Sequence, residues 1–145
     1  MPVNIELRII GIENFDDLIM IWEKSNLHIK PLGRDNYESI EKEMKNDIAD
    51  FVIAYVDNKP AGSVLVTHDG RKGWINRLAV LPEFRRTGIA GQLLDFAEDI
   101  LHKKGITIFA CLIENWNDVS KEFFRKNGYF LHEISYLTKR DNPDA

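Results

Sequence analysis

The chain has 145 residues, 44% hydrophobic and 29% charged, without low-complexity tracts, which suits one globular domain over residues 1–145 around a single core. Its net charge of −4 divides into −5 over residues 1–60 (12 acidic, 7 basic) and +1 over residues 61–145 (11 acidic, 12 basic). No dense basic stripe marks a nucleic-acid partner. Met1-Pro2-Val3-Asn4 lacks the basic, apolar start of a signal peptide, and the longest nearly apolar run, Ile106 to Ile113, is too short to cross a membrane, so a soluble cytoplasmic protein is expected.

Val3 to Ile10 alternates as a strand. Asn14 then opens a helix in which Phe15, Leu18, Ile19 and Trp22 recur at helical spacing. Ser25 to Gly33 reads as a loop, and Asp35 with Glu38 forms an Asp-x-x-Glu capping signal for a charged helix reaching about Asn46. Phe51 to Val56, the turn Asp57-Asn58-Lys59-Pro60 and Ala61 to His68 predict a hairpin. After a second turn at Asp69 to Gly73, Trp74 to Leu81 is the next strand. Ile89, Leu93, Phe96, Ala97 and Ile100 mark a helix that stops at Gly105. Ile106 to Ile113 follows as a continuous apolar strand, the pattern of a position covered on both faces, with the lone Cys111 inside it as a small buried hydrophobe. Strand, helix and strand make a βαβ unit with parallel strands. Asn117 caps a short helix ending near Asn127-Gly128, and Tyr129 to Lys139 returns as a terminal strand or hairpin. The order β-α-α-β-β-β-α-β-α-β-β is that of a mixed α/β fold, a mixed sheet with helices packed on it.

The segment that carries most chemistry is Leu78-Ala79-Val80-Leu81-Pro82-Glu83-Phe84-Arg85-Arg86-Thr87-Gly88-Ile89-Ala90. An apolar strand runs into a basic, glycine-bearing turn that opens a helix. Such a turn presents unpaired N–H groups, backed by the positive end of the helix dipole, to an anion such as a pyrophosphate. Glycine at 88 and alanine at 90 let phosphates approach the backbone. Arg85, Arg86, Lys121 and Arg125 are candidates for screening a polyanionic ligand.

Taken together, Leu78-Ala79-Val80-x-Pro82, Arg85-x-x-Gly88-x-Ala90 and Asn117-x-x-x-x-x-Phe123-Phe124-x-Lys126-x-Gly128-Tyr129 resemble the GNAT superfamily of acyl-CoA-dependent N-acetyltransferases, from Leu7 to Leu137. The resemblance implies acetyl-CoA as co-substrate, an amine acceptor as the second partner, and a partly splayed central sheet. The pantetheine arm would lie between strands 74–81 and 106–113 and pair with main-chain groups at Leu78, Ala79 and Val80. The pyrophosphate would take N–H groups of Arg86, Thr87, Gly88, Ile89 and Ala90, with Arg85 beside them. Asn117 and Phe124 would contact the cofactor. His28, Trp22 and Tyr37 would help wall the acceptor pocket, and a homodimer stays open. No His-x-His, His-Glu-x-x-His or Cys-x-x-Cys spacing suggests a metal.

An amine of pKa near 10.4 gives up its proton at neutral pH at a cost of about 4–5 kcal/mol, whereas a thiol of pKa near 8.5 leaves as thiolate for only about 2 kcal/mol. A base therefore matters more than an acid. Relatives place a tyrosine, as general acid, where this chain has Phe124, which has no proton to give; Tyr129 and Tyr136 are the substitutes on offer. Strand 74–81 offers Asn76 and Arg77 but no carboxylate, so Glu114 at the end of strand 106–113 is the candidate base, directly or through water. Two other readings stay open. One is a non-catalytic acyl-CoA-binding or sensing domain, favoured by Phe124. The other is a dinucleotide-binding Rossmann-like domain, which the incomplete glycine spacing and the preceding hairpin oppose.

Overall fold

The computed structural model describes residues 3–145. Its elements are β1 (Ile5–Ile9), α1 (Phe15–Lys24), α2 (Tyr37–Met44), β2 (Ala49–Val56), β3 (Lys59–His68), β4 (Gly73–Val80), α3 (Ile89–Lys103), β5 (Phe109–Ala110) and α4 (Asp118–Lys126). Single 3-10 turns precede α1 (Ile12–Asn14) and follow β4 (Pro82–Phe84). The five strands lie in sequence order in one sheet. The β1–β2, β2–β3 and β3–β4 pairs are antiparallel and only β4–β5 is parallel, so the doubly wound dinucleotide-binding arrangement is not formed.

Period-two alternation builds a core on each side of this sheet. Along β2, Val52, Ala54 and Val56 face α3, where they meet Leu93, Leu94, Ala97 and Leu101. The intervening Phe51, Ile53 and Tyr55 face Leu18, Ile21 and Trp22 of α1 and Ile40 of α2. Because β2 and β3 are buried almost throughout, hydrophobic contact from both layers fixes their register.

One irregularity in β4 positions everything that follows. Two steps of β3, Ser63 to Leu65, span three steps of β4, Ala79 to Asn76, so Arg77 and Leu78 together oppose Val64. This is a β-bulge, with Arg77 at a left-handed φ of 51°. Without it, Arg77 would share the α3 face with Ile75. With it, Leu78 and Val80 pack toward α3, while Arg77 swings to the other layer and lies 4.4 Å over the Trp22 ring.

Several sequence expectations shift. The capping residue of α2 is Asn36, which accepts the Ser39 N–H at 2.8 Å; Asp35, one step earlier, is used elsewhere. Asn14 does begin α1, but its amide donates to the Tyr55 hydroxyl at 3.3 Å and makes no cap bond. The strand expected over residues 106–113 contracts to Phe109–Ala110, paired with Gly73 and Trp74. The terminal strand expected from Tyr129 to Lys139 is not formed, and residues 130–140 are exposed throughout. An apolar run forms a ladder only where a neighbouring strand supplies hydrogen bonds, and beyond these two residues none does.

Candidate functional site

The site begins where the β4–β5 pair opens. Gly73 N–H donates to the Ile108 carbonyl at 2.8 Å, and the ladder ends one residue later at Trp74. From Ile75 to Val80 the β5-facing edge of β4 has no strand beside it among the described residues. A ligand with amides of its own can supply the missing partners. Leu78, Ala79 and Val80 lie on this stretch, Leu78 within the bulge and the other two past it.

The chain then turns sharply into α3. Leu81 N–H donates to the Ala61 carbonyl at 2.8 Å, the 3-10 turn follows, and Arg86 at φ 65° with Gly88 at φ 83° completes the reversal. Gly88 caps α3 in a left-handed conformation that suits glycine, and no side chain accepts from the first-turn N–H groups. The first turn carries no acid, so the positive end of the dipole is uncompensated. Atoms added at Gly88 or Gly91 would meet nothing within 4 Å. A cavity of about 250 Å³ opens there, lined by Val80, Phe84, Arg85, Arg86, Gly88, Ile89, Ala90, Gly91 and Phe123. Arg85 Nε donates to the Val80 carbonyl at 3.0 Å, and Thr87 donates its hydroxyl to the Phe84 carbonyl, which steadies the turn. Neither Arg85 nor Arg86 has an ion-pair partner among the described residues. Open N–H groups, free cations and space at the glycines are what a diphosphate requires.

The other expected residues divide. Asn117 caps α4, its carbonyl oxygen accepting the Ser120 N–H at 3.1 Å, which leaves its amide N–H₂ free to donate. Phe123 is on the cavity wall. Phe124, expected at the cofactor, is 7% exposed in the α3-side core, edge-on to Phe123 and Tyr129. Lys121 is turned to the Asn115 carbonyl and side chain, and Arg125 pairs with Glu122 at 3.4 Å. Glu114 is exposed in the turn before α4; its main-chain carbonyl accepts the Asn117 N–H, and no bond is made to its carboxylate among the described residues. Tyr129 donates its hydroxyl to Glu98 at 2.6 Å, and burial beside that carboxylate holds it above the usual phenol range, so it suits no proton transfer. Tyr136 is exposed and lies in no strand. Burial pushes the Cys111 thiol up to about 11, the behaviour of an inert core sulfur.

On the α1–α2 side, Trp22 is 1% exposed, a core residue rather than a pocket wall. Tyr37 is half exposed and edge-on to Phe15, and His28 is exposed in the loop. The residue that sequence reasoning missed is Asp35. It is 5% exposed and takes both Arg77 guanidinium nitrogens, at 2.6 and 2.9 Å, and the Lys30 N–H at 2.6 Å. The loop between α1 and α2 is thereby fastened to the bulge in β4, within the stretch that β5 leaves unpaired. The signal was the polar pair Asn76-Arg77 breaking an otherwise apolar strand, with Ile75 and Leu78 three apart where alternation requires two. Glu43, half buried beside this pair, has its carboxyl pushed up by burial. No group of three or more His, Cys, Asp or Glu that could hold a metal gathers among the described residues.

The profile of the acetyltransferase (GNAT) family matches residues 15–129. Among solved structures, the PaiA N-acetyltransferase of Thermoplasma acidophilum in complex with coenzyme A is 24% identical, with a TM-score of 0.80 over 91% of this chain and 93% of that one. AAC(6')-Iy in complex with the bisubstrate analogue CoA-S-monomethyl-acetylneamine is 17% identical at TM-score 0.80, over 94% and 99% of the two chains. Glucosamine-6-phosphate N-acetyltransferase of Arabidopsis thaliana is 15% identical at TM-score 0.76, over 96% and 99%. At these identities the likeness is one of fold.

Proposed function

Because this chain belongs to the acetyltransferase (GNAT) family, we propose that it transfers an acetyl group from acetyl-CoA to a primary amine by direct attack. The observation that carries the reading is the α3 N-terminus. Its uncapped first turn and two unpaired arginines border a cavity at the point where β4 loses its neighbour. Diphosphate at Arg86 to Ala90 and pantetheine along Leu78 to Val80 would set the thioester in the cleft between β4 and β5. Likeness to structures that hold coenzyme A or a CoA-based bisubstrate analogue supports a ligand of this class.

In the reaction the amine nitrogen forms a bond to the thioester carbonyl carbon, the C–S bond breaks, and CoA leaves as its thiolate. The ammonium acceptor loses one proton before attack and the nitrogen a second as the amide forms; both would pass through water at Glu114, whose exposed carboxylate makes no competing bond among the described residues, to solvent. No acid is needed at the sulfur, since departure as thiolate costs only about 2 kcal/mol at neutral pH. That fits Phe124, and it fits Tyr129 being committed to Glu98. The acceptor would enter from the α1–α2 loop, which the Asp35–Arg77 pair holds in place. A cytoplasmic site of action accords with this chemistry, as acetyl-CoA is an intracellular metabolite.

Thiol release from acetyl-CoA across a panel of primary amines tests the proposal, with turnover expected for at least one class. Glu114→Gln should lower kcat about tenfold or more while leaving CoA affinity unchanged. Wild-type rates at every pH would remove Glu114 from the mechanism. A second reading, a non-catalytic acyl-CoA sensor, is favoured by Phe124 and by the absence of a carboxylate on β4. Tight CoA binding with no thiol release from any amine would select it.

A further inference from the structure

The loop between α1 and α2 is gripped by two partners distant in sequence. The first is the sheet. Asp35 takes both guanidinium nitrogens of Arg77 together with the Lys30 N–H, and the Lys30 carbonyl accepts the Gly33 and Asp35 N–H groups at 3.0 Å. Residues 30–35 are thereby closed into one unit seated on β4. The second partner is the segment 140–145. Lys30 Nζ donates to the carbonyl of Pro143, 113 residues away, at 2.9 Å. Gly33 lies directly against Asp144. A Cβ at Gly33 would stand 2.8 Å from the Asp144 carbonyl carbon and nearer still to its oxygen, an approach that real Cβ atoms do not make. Gly33 is outside the left-handed region, so its own backbone does not call for glycine. The seat for Asp144 does.

We propose that residues 140–145 are a strap that holds the α1–α2 loop where an amine acceptor needs it, with Gly33 and Lys30 as the positioning residues. The strap is shaped before it docks. The Asn142 side chain accepts the Asp144 N–H at 2.9 Å, the Asn142 carbonyl accepts the Ala145 N–H at 3.2 Å, and Arg140 donates to the Ala145 carbonyl at 2.7 Å. A turn that is already closed loses little freedom on seating. Charge favours the match, since the loop offers Lys30 and Arg34 and the strap Asp141 and Asp144. The contacts run without a break from the strap to Lys30 and Gly33, then to Asp35, to Arg77 and to the bulge that contains Leu78. None of these contacts involves Arg85 to Ala90, so the effect falls on the amine and not on CoA. Pro143 and Asp144 are exposed and are held by their main-chain carbonyls, so the seat is reversible and weakens as salt screens the charges. The effect on the amine rests on the acyl-transfer reading above; the hold on the loop does not.

Gly33→Ala tests the seat with a single methyl, which displaces Asp144 and leaves the hydrogen bonds of the loop in place. Lys30→Met and removal of residues 140–145 break the same contact from its two sides. Thiol release from acetyl-CoA is followed with tyramine, neamine, glucosamine and lysine methyl ester as acceptors. CoA binding by calorimetry and far-ultraviolet circular dichroism are measured alongside. Each change should raise the KM of the amine that the wild type uses by about fivefold, with CoA affinity and the dichroism spectrum unaltered. Gly33→Ala together with the deletion should do no more than either alone, because both act through one seat. Amide exchange at Gly33, Asp35 and Asn36 should quicken in every variant, a readout that needs no turnover. Where the wild type turns over, an unchanged amine KM, an equal loss of CoA affinity, or additive effects in the combined variant would overturn the strap. A wild type silent with every amine would sink the acyl-transfer reading instead. The hold on the loop is then judged by exchange alone, and unchanged protection at those three amides would overturn it.

Discussion

Ala90 offers the cleanest separation of binding from folding. A carboxylate at the first turn of a helix favours the dipole by about 0.3–1 kcal/mol, so Ala90→Glu should hold or raise the melting temperature. The same carboxylate would stand where phosphates are proposed to sit, so CoA binding measured by calorimetry should be lost. Gly88→Glu gives the same loss of binding but with reduced stability, because φ is 83° there. Asp35 and Arg77 behave differently. With Asp35 at 5% and Arg77 at 15% side-chain exposure, Asp35→Ala leaves a guanidinium without its carboxylate and should cost about 3 kcal/mol by urea unfolding. Pairing it with Arg77→Met should recover most of that loss, because the orphaned charge goes too. Tyr55 carries a pH dependence whose sign is fixed. It is buried and donates to Asp17 at 2.8 Å, which pushes its hydroxyl up to about 12 from an ordinary value near 10. The folded state favours the neutral phenol. Its contribution is therefore complete below pH 10 and is lost as pH climbs from 10 to 12. The stability difference between wild type and Tyr55→Phe should shrink over that window and be flat below it.

Elements were legible in the sequence wherever a residue acts through its own backbone or through a periodic face. Gly88 marked the turn that opens α3, Asn117 the cap of α4, and the run Phe51 to Val56 the strand β2. What stayed hidden depends on partners distant in sequence. Asp35 satisfies a local capping rule as well as Asn36 does, and only the presence of Arg77, 42 residues on, takes it from the helix. The bulge leaves only a broken alternation along β4, Ile75 and Leu78 standing three apart, and its meaning depends on the pairing with β3. Phe123 and Phe124 are adjacent and chemically equal. Which one lines the cavity is set by the roll of α4 on α3, which spacing does not specify. The apolar run 106–113 was read as a strand covered on both faces, and it has the composition for that. Its ladder contracts to two residues because pairing with β4 already ends at Trp74, and among the described residues no further strand lies beside it.

At the scale of the whole molecule the sheet is asymmetric. Its β1 to β3 side is packed from both layers, while its β4 to β5 side is open for a ligand. Stability should accordingly be strongly linked to ligand. A molecule that binds only the folded state stabilises it by about 2.7 kcal/mol at one hundred times its dissociation constant. For a chain of this length each kcal/mol moves the melting temperature by roughly 3–4 °C, so saturating CoA should raise it by about 8–10 °C. Part of that gain comes from phosphates meeting Arg85 and Arg86, both exposed, and should diminish as salt screens them. The remainder, from pantetheine closing the unpaired edge of β4, should survive salt. Differential scanning fluorimetry of wild type and Ala90→Glu, with and without CoA and at low and high ionic strength, resolves the two. A shift of the same size in Ala90→Glu would mean that CoA is held elsewhere on the molecule, and the α3 N-terminus would lose its role.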